Sequence, residues 1–401
     1  MTQPDPPTSG HVVIVGGGVA GLEALIALRA LAGDRVALTL VSKDDWFVDR
    51  PMTVAEPFGL GSATRLSLPE LTAELGAAFV RGSVTTVDAA PRSATCTDGR
   101  RLAFDTLILA PGAQARVPFS DAITFGLEGS STAIREMLAR LRGGDARSVS
   151  FVAPTTTGWL LPLYELALMT SRELVRSDVG GVEVRLLTPE DRPLALFGGQ
   201  LSQGIGRLLG RAGIEFIHAS FAKVNGGGLT YAALGQPSPD YVVTLPLLSG
   251  PALAGVPASG PQEFIPVDEY GRVAGLPDVY AAGDAVDFPV KQGGIAAQQA
   301  DTIAEHVAAS YGAGIEPAPF QPMLRGMLFT GDEPVYMRSG VPDADPDVPG
   351  AWYPLWWPPT KVAGRYLGPY LSEHGDEERF GAPPVGFIDV DVPLSAITMP
   401  G

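Results

Sequence analysis

Apolar and polar positions change period abruptly along this chain, and each change marks an element. His11-Val12-Val13-Ile14-Val15 is an unbroken run rich in β-branched residues, the pattern of a strand buried on both faces. Gly16, Gly18 and Gly21 follow, and an apolar helix opens directly behind them. Residues 36–41 read as a second strand, followed by a long excursion and further strands near 78–88, 93–97 and 101–109. The alternation then repeats: strand 148–152, helix 160–174, strand 182–187, helix 201–212 and strand 214–217. A short strand in 279–284 and a helix over 294–310 come last before the C-terminal region. Alternation of strand and helix predicts an α/β fold with two Rossmann-like units. The expected division is 1–115, 116–262, 263–317 and a C-terminal module over 318–401.

The three glycines have the G-x-G-x-x-G spacing of a dinucleotide site. The first keeps the turn tight, the second lets a pyrophosphate approach the backbone, and the third lets helix and strand pack closely. The free N–H groups and positive dipole end of the helix then face the phosphates. Gly16, Gly18, Val19, Ala20 and Gly21 are therefore cofactor-binding candidates.

Composition narrows the chemistry. A net charge of −16 over 401 residues argues against nucleic acid as a partner. No apolar run reaches the length of about 18 residues that suggests a membrane span. The segment before His11 is polar and proline-rich without an apolar signal core, so a cytoplasmic protein is expected. The single cysteine, Cys96, excludes a redox disulfide within the chain and a persulfide relay through paired cysteines. The four histidines are scattered without metal-ligand spacing.

Two later segments sharpen the picture. Phe104–Leu109 ends in Ala110-Pro111-Gly112, and Val279-Tyr280-Ala281-Ala282 ends in Gly283-Asp284. With these, the chain resembles the pyridine nucleotide–disulfide oxidoreductase superfamily, flavoproteins with two dinucleotide-binding domains. The resemblance implies FAD, an FAD domain split by an inserted NAD(P)-binding-like domain, and Asp284 on the ribityl chain. It places Ser42, Lys43, Arg50, Pro51, Val84, Ala110, Pro111, Gly112, Gly283, Gly293, Gly294 and Ile295 at the cofactor. Ser42 stands where an acid is expected to grip the adenosine ribose. Asp44 and Asp45 are the alternatives, with Lys43 either at the cofactor or solvated. Arg50 is read either as an anion contact or as a surface ion pair.

The second unit departs from its template. After Val152 the turn holds one glycine, Gly158, beside Thr155–Thr157 and the bulky Trp159, which leaves little room for a pyrophosphate. Usual-mode NAD(P)H binding is thereby left open. Pro162-Leu163-Tyr164-Glu165 resembles sulfide:quinone oxidoreductases and flavocytochrome c sulfide dehydrogenases. The run Lys291 to Ala300 is similar to their Lys-Thr-Gly-x-x-x-Glu-x-Gln-Ala segment, with Gln292 and Ala297 as departures. It is also similar to the Ala-Gln motif of type II NADH dehydrogenases. Glu165 and Lys291 are the catalytic candidates: Glu165 as a proton shuttle or a helix-face glutamate, Lys291 as a charge near the flavin or a surface residue.

Beyond 318, Trp352 to Pro359 is aromatic and proline-rich, and Lys361 and Arg365 follow. A flap over the flavin or against a second copy is favoured over an interfacial membrane anchor. Pro342 to Asp347 reads as a solvated loop. The expected function is an FAD-dependent oxidoreductase that carries electrons from a small reductant, NAD(P)H among the candidates, to a quinone-like acceptor. The rivals are a flavin-binding electron-transfer or assembly subunit, and a biosynthetic flavin oxidase or dehydrogenase acting on an organic substrate. Partners are a small-molecule reductant and acceptor, with a membrane surface or a homodimer mate as further candidates.

Overall fold

The computed structural model describes residues 10–154, 158–219, 222–225, 228–231, 238–338, 351 and 353–374. The N-terminal lead, Thr155–Thr157, Trp352 and the Pro342–Asp347 loop lie outside the described residues.

Gly10–Val15 is the middle strand of a five-stranded parallel sheet. The order is Val279–Ala281, Thr106–Leu109, Gly10–Val15, Val36–Ser42, Ala78–Arg81. Its period of two is visible in the packing. Val12 and Ile14 join the core under helices Val19–Ala32 and Gly293–Ser310. Val13 and Val15 join the opposite core with Val84, Val87 and Cys96 from a three-stranded meander. Val15 is level with Val41 on one side and Leu109 on the other. Gly16, Ala110 and Ala282 therefore leave the sheet at one edge, where strand order reverses, which is where open α/β sheets bind ligands.

The second unit repeats this plan. Its parallel sheet runs Ile123–Thr124, Tyr241–Thr244, Ser148–Val152, Glu183–Thr188, Ile214–His218. Helix Leu161–Arg176 buries Leu163, Tyr164, Leu166 and Ala167 against Val149 and Phe151. The expected helices at 160–174 and 201–212 run as Leu161–Arg176 and Gly199–Arg211. The segment expected as strand 279–284 stops pairing at Ala281, and Gly283–Ala285 forms a 3-10 turn.

The C-terminal module starts as the hairpin Arg325–Leu328 with Val335–Arg338 and ends in helix Leu367–His374. It packs inward. Trp356 is buried beside Tyr336, and Leu367 and Leu371 are buried in the core of the first unit. Among the described residues no helix is long and apolar enough to cross a membrane.

Candidate active site

The first turn has the three glycine roles in physical form. Gly16 has φ +116°, and a Cβ there would lie 2.0 Å from the carbonyl oxygen of Ala110. A Cβ on Gly21 would lie 1.8 Å from the carbonyl oxygen of Gly16, so only glycine lets the helix close on the strand. Gly18 is exposed, extended, and has nothing within 4 Å of a would-be Cβ. Open backbone at the first turn of a helix is what a pyrophosphate needs. Val19 and Ala20 begin that helix.

Asp284 stands across the cleft. Gly283 adopts φ +76°, and a Cβ there would press on Ala20 and Ala296 at 3.2 and 3.5 Å. Its N–H donates to Gln299 Oε1 at 2.8 Å. Gln299 thus fixes the turn that aims Asp284. The Asp284 carboxyl is half-buried and receives no hydrogen bond from a described residue. Burial pushes its pKa up, while Lys291 and Arg50 pull it back. A desolvated carboxyl without a hydrogen-bond partner among the described residues, next to the helix that the open glycine turn begins, fits a polyhydroxyl chain with a pyrophosphate, and so fits FAD.

Helix Gly293–Ser310 delivers a second N-terminus to the cleft. Gln292 caps it, accepting from Ile295 N at 3.1 Å, and donates through Nε2 to Arg325 O at 2.7 Å. A Cβ on Gly293 would lie 3.1 Å from Val362 and within 4 Å of Pro51 and Val19. The two helix starts, Pro51 and the C-terminal module therefore meet there. Gly294 and Ile295 are buried in the first turn.

Other expected residues are placed less directly. Ser42 is buried, and its hydroxyl accepts from Asp44 N at 3.3 Å. Asp45 is paired with Arg81 at 2.9 Å. Lys43 and Arg50 are exposed, Pro111 is exposed, and Val84 is buried in the meander. Ala110 and Pro111 sit at the strand end beside Gly16, and Gly112 follows them with φ +76°. Lys291 is neither on the surface nor free: its ammonium donates to Val286 O and lies 3.5 Å from the Phe264 ring. Burial lowers its pKa to about 8, against the pull of Asp284 and Asp287.

Glu165 is fully buried and paired with Lys361 Nζ at 2.6 Å. Its Oε1 also accepts Phe329 N–H at 3.0 Å, and Oε2 has no partner among the described residues. The Lys361 ammonium lies 4.2 Å from the Phe329 ring. Burial pushes Glu165 up and Lys361 down, opposing their mutual attraction. Burial thus works against holding both groups ionised, while the contact between them favours it. Lys361, one of the two basic residues of the anchor reading, points inward, where Glu165 is the counter-charge its burial requires. The other, Arg365, pairs with Glu305 at 2.9 Å.

Sequence reasoning missed Lys361, Gln299 and Glu190. Glu190 follows strand Glu183–Thr188, near where a ribose-gripping acid is expected in a dinucleotide domain. It is engaged internally, accepting the Tyr164 hydroxyl at 2.5 Å, while Leu194 N donates to the same hydroxyl oxygen at 3.2 Å. Burial pushes Glu190 up. Gly158 is pinned: a Cβ would lie 2.4 Å from Pro289 O, and Trp159 packs on Phe197 with ring centres 6.0 Å apart.

Residues 10–140 match the family described as pyridine nucleotide-disulphide oxidoreductase. The chain carries that oxidoreductase domain. An NADH dehydrogenase-like protein of Mycobacterium tuberculosis is 28% identical to this oxidoreductase over 305 residues, 68% of this chain and 72% of that one. The sulfide-quinone reductase of Aquifex aeolicus is 26% identical over 183 residues, 42% of this chain and 40% of that one. The solved Aquifex sulfide:quinone oxidoreductase superposes with a TM-score of 0.75 at 18% identity, covering 82% and 83% of the two chains. NDH2 from Plasmodium falciparum, solved in complex with NADH, gives 0.67 at 13% identity over 83% and 92%. The structures share the fold, and the domain match together with the curated relatives supports an FAD-dependent oxidoreductase.

Proposed function

We propose that this oxidoreductase transfers electrons from a small reductant, with NADH and NADPH as candidates, to a quinone-like acceptor. The observation that carries the proposal is the buried Glu165–Lys361 pair, set where the second unit, Phe329 and the C-terminal module meet. FAD, when bound, supplies the two-electron chemistry. Gly16, Gly18, Gly21 and Asp284 would hold it, and the N-termini of Val19–Ala32 and Gly293–Ser310 would stabilise negative charge. Quinone reduction consumes protons as well as electrons. Glu165 would hold a proton at Oε2, and Lys361, bonded to Oε1, would set how tightly that proton is held. Lys291 contributes a positive charge that reaches Asp284 rather than a direct contact. The four-part division into 1–115 with 263–317 around FAD, 116–262 as the inserted unit and 318–401 as the module belongs to the same proposal.

The engagement of Glu190 by Tyr164 and the close fit of Gly158 favour a donor smaller than a dinucleotide. Anaerobic stopped-flow mixing tests the scheme. Bleaching of the bound chromophore by a small reductant, then recolouring by a short-chain ubiquinone, is expected. Purified protein that reoxidises no faster with the ubiquinone than without it overturns the acceptor assignment. Rapid bleaching by NADH or NADPH overturns the preference for a smaller donor.

A further inference from the structure

The first FAD helix carries a charge that the reading above does not use. Glu23, one turn into Val19–Ala32, is wholly buried. Its two oxygens accept Tyr366 N–H at 2.7 Å and Leu367 N–H at 2.8 Å, the opening amides of helix Leu367–His374. It serves as an N-cap supplied from 343 residues away. A Cβ on Gly364 would lie 2.3 Å from Glu23 Oε2, so the approach needs glycine there. Asp301, on the facing helix Gly293–Ser310, interacts with Glu23, and its Oδ1 is buried without a partner among the described residues. The strap between is stiff: Trp356 Nε1 donates to Thr360 O, the Thr360 hydroxyl donates to Val362 O, and Gly368 N donates to Gly364 O. Lys361 lies inside it.

We propose that Glu23 and Asp301 are positioning residues: as a proton-sharing pair they clamp the strap 356–368 and thereby hold Lys361 against Glu165. This rests on the proton role of the Glu165–Lys361 pair given above. The other charged and titratable groups facing the clamp are Arg365, Glu305 and Tyr366. Glu23 receives two backbone donors, so it keeps the negative charge, and Asp301 keeps the proton and donates it. A second charge within hydrogen-bonding distance would be repelled, and burial adds to that cost.

Hydrogen exchange on the FAD-loaded full chain tests the clamp directly. In Glu23→Gln one acceptor oxygen becomes an amide NH2 donor, and the Tyr366 and Leu367 amides are expected to exchange about tenfold faster or more. Asp301→Leu removes the donor and is expected to act in the same direction. Asp301→Asn keeps a donor and should restore wild-type protection. The functional readout is the pH midpoint for reoxidation of photoreduced enzyme by a short-chain ubiquinone, which Glu23→Gln should shift. Glu165→Gln should shift that midpoint while leaving the Tyr366 and Leu367 exchange unchanged. Unchanged exchange in both Glu23→Gln and Asp301→Leu overturns the clamp. Faster exchange with an unmoved midpoint reduces it to a structural tie and overturns the positioning role. A midpoint that Glu165→Gln fails to move overturns the proton role of Glu165 instead, and the exchange rates then decide the clamp alone.

Discussion

A Cβ on Gly21 would collide with the Gly16 carbonyl at 1.8 Å, whereas one on Gly18 meets nothing within 4 Å. The two glycines therefore answer to different demands, and alanine separates them. Gly21→Ala forces backbone apart and is expected to cost about 1–3 kcal/mol of stability or more, read as a lowered unfolding temperature without cofactor. Gly18→Ala should leave that temperature close to wild type and weaken FAD by about tenfold or more, a loss of about 1.4 kcal/mol of binding. Equal effects on folding and binding at both positions would refute this assignment. Glu165 and Lys361 supply the second residue-scale prediction. Either partner removed alone leaves a buried charge or a forced deprotonation, so Glu165→Gln and Lys361→Met should each cost about 3 kcal/mol. The double variant should lose clearly less than the sum, measured by denaturant unfolding.

Helix Gly293–Ser310 shows how far the sequence could be read at the scale of elements. Its existence and span follow from apolar spacing after Asp284, and it starts within one residue of the expected position. Its cap did not follow. Gln292 is outside the usual Ser, Thr, Asp and Asn set, and it caps because its amide also reaches Arg325 O in the C-terminal hairpin. Gln292→Ala should then cost about 1–2 kcal/mol and loosen the hairpin, seen as faster exchange of Arg325–Leu328 amides. The glycine turn and the strand ends were legible because a few adjacent residues set backbone shape and exposure, whereas the role of Asp284 was taken from the family resemblance. The pairing of Lys361 with Glu165 was not legible, because the two lie 196 residues apart and no short-range pattern encodes it. Glu23 carries no local signal of its role for the same reason, its backbone partners lying 343 residues or more away. In the second unit, the crowded turn at Gly158 and Trp159 was visible in the sequence, but the Tyr164–Glu190 closure was not.

Across the whole molecule, buried ionisable groups join the parts, so proton uptake and folding are linked. Asp301 bridges the two FAD helices and is raised from 3.8 to about 10, chiefly by burial and then by Glu23. Between those values the folded chain holds a proton that the unfolded chain has released. Stability from this group is therefore complete below the unfolded value and falls as pH rises through the window, by about 1.4 kcal/mol per pH unit while the difference is one proton. Glu165, raised by burial, adds in the same direction. Lys291 acts oppositely. It is lowered from 10.5 to about 8, so the folded chain binds less of its proton only above about pH 8, and stability recovers as pH climbs toward the unfolded value. Below that point its contribution is flat. Lys361, also lowered by burial, shares that opposing sign. The cleanest window is thus roughly pH 5.5–7.5, where Asp301 titrates differentially and Lys291 does not. Asp301→Asn removes the linked proton but keeps a donor to Glu23. Urea unfolding across that window should show wild-type stability falling more steeply than the variant's, by up to about 1.4 kcal/mol per pH unit. Parallel pH profiles would mean that Asp301 is ionised in the folded chain, and the carboxyl pair would then have to be held by Arg365 rather than by a shared proton.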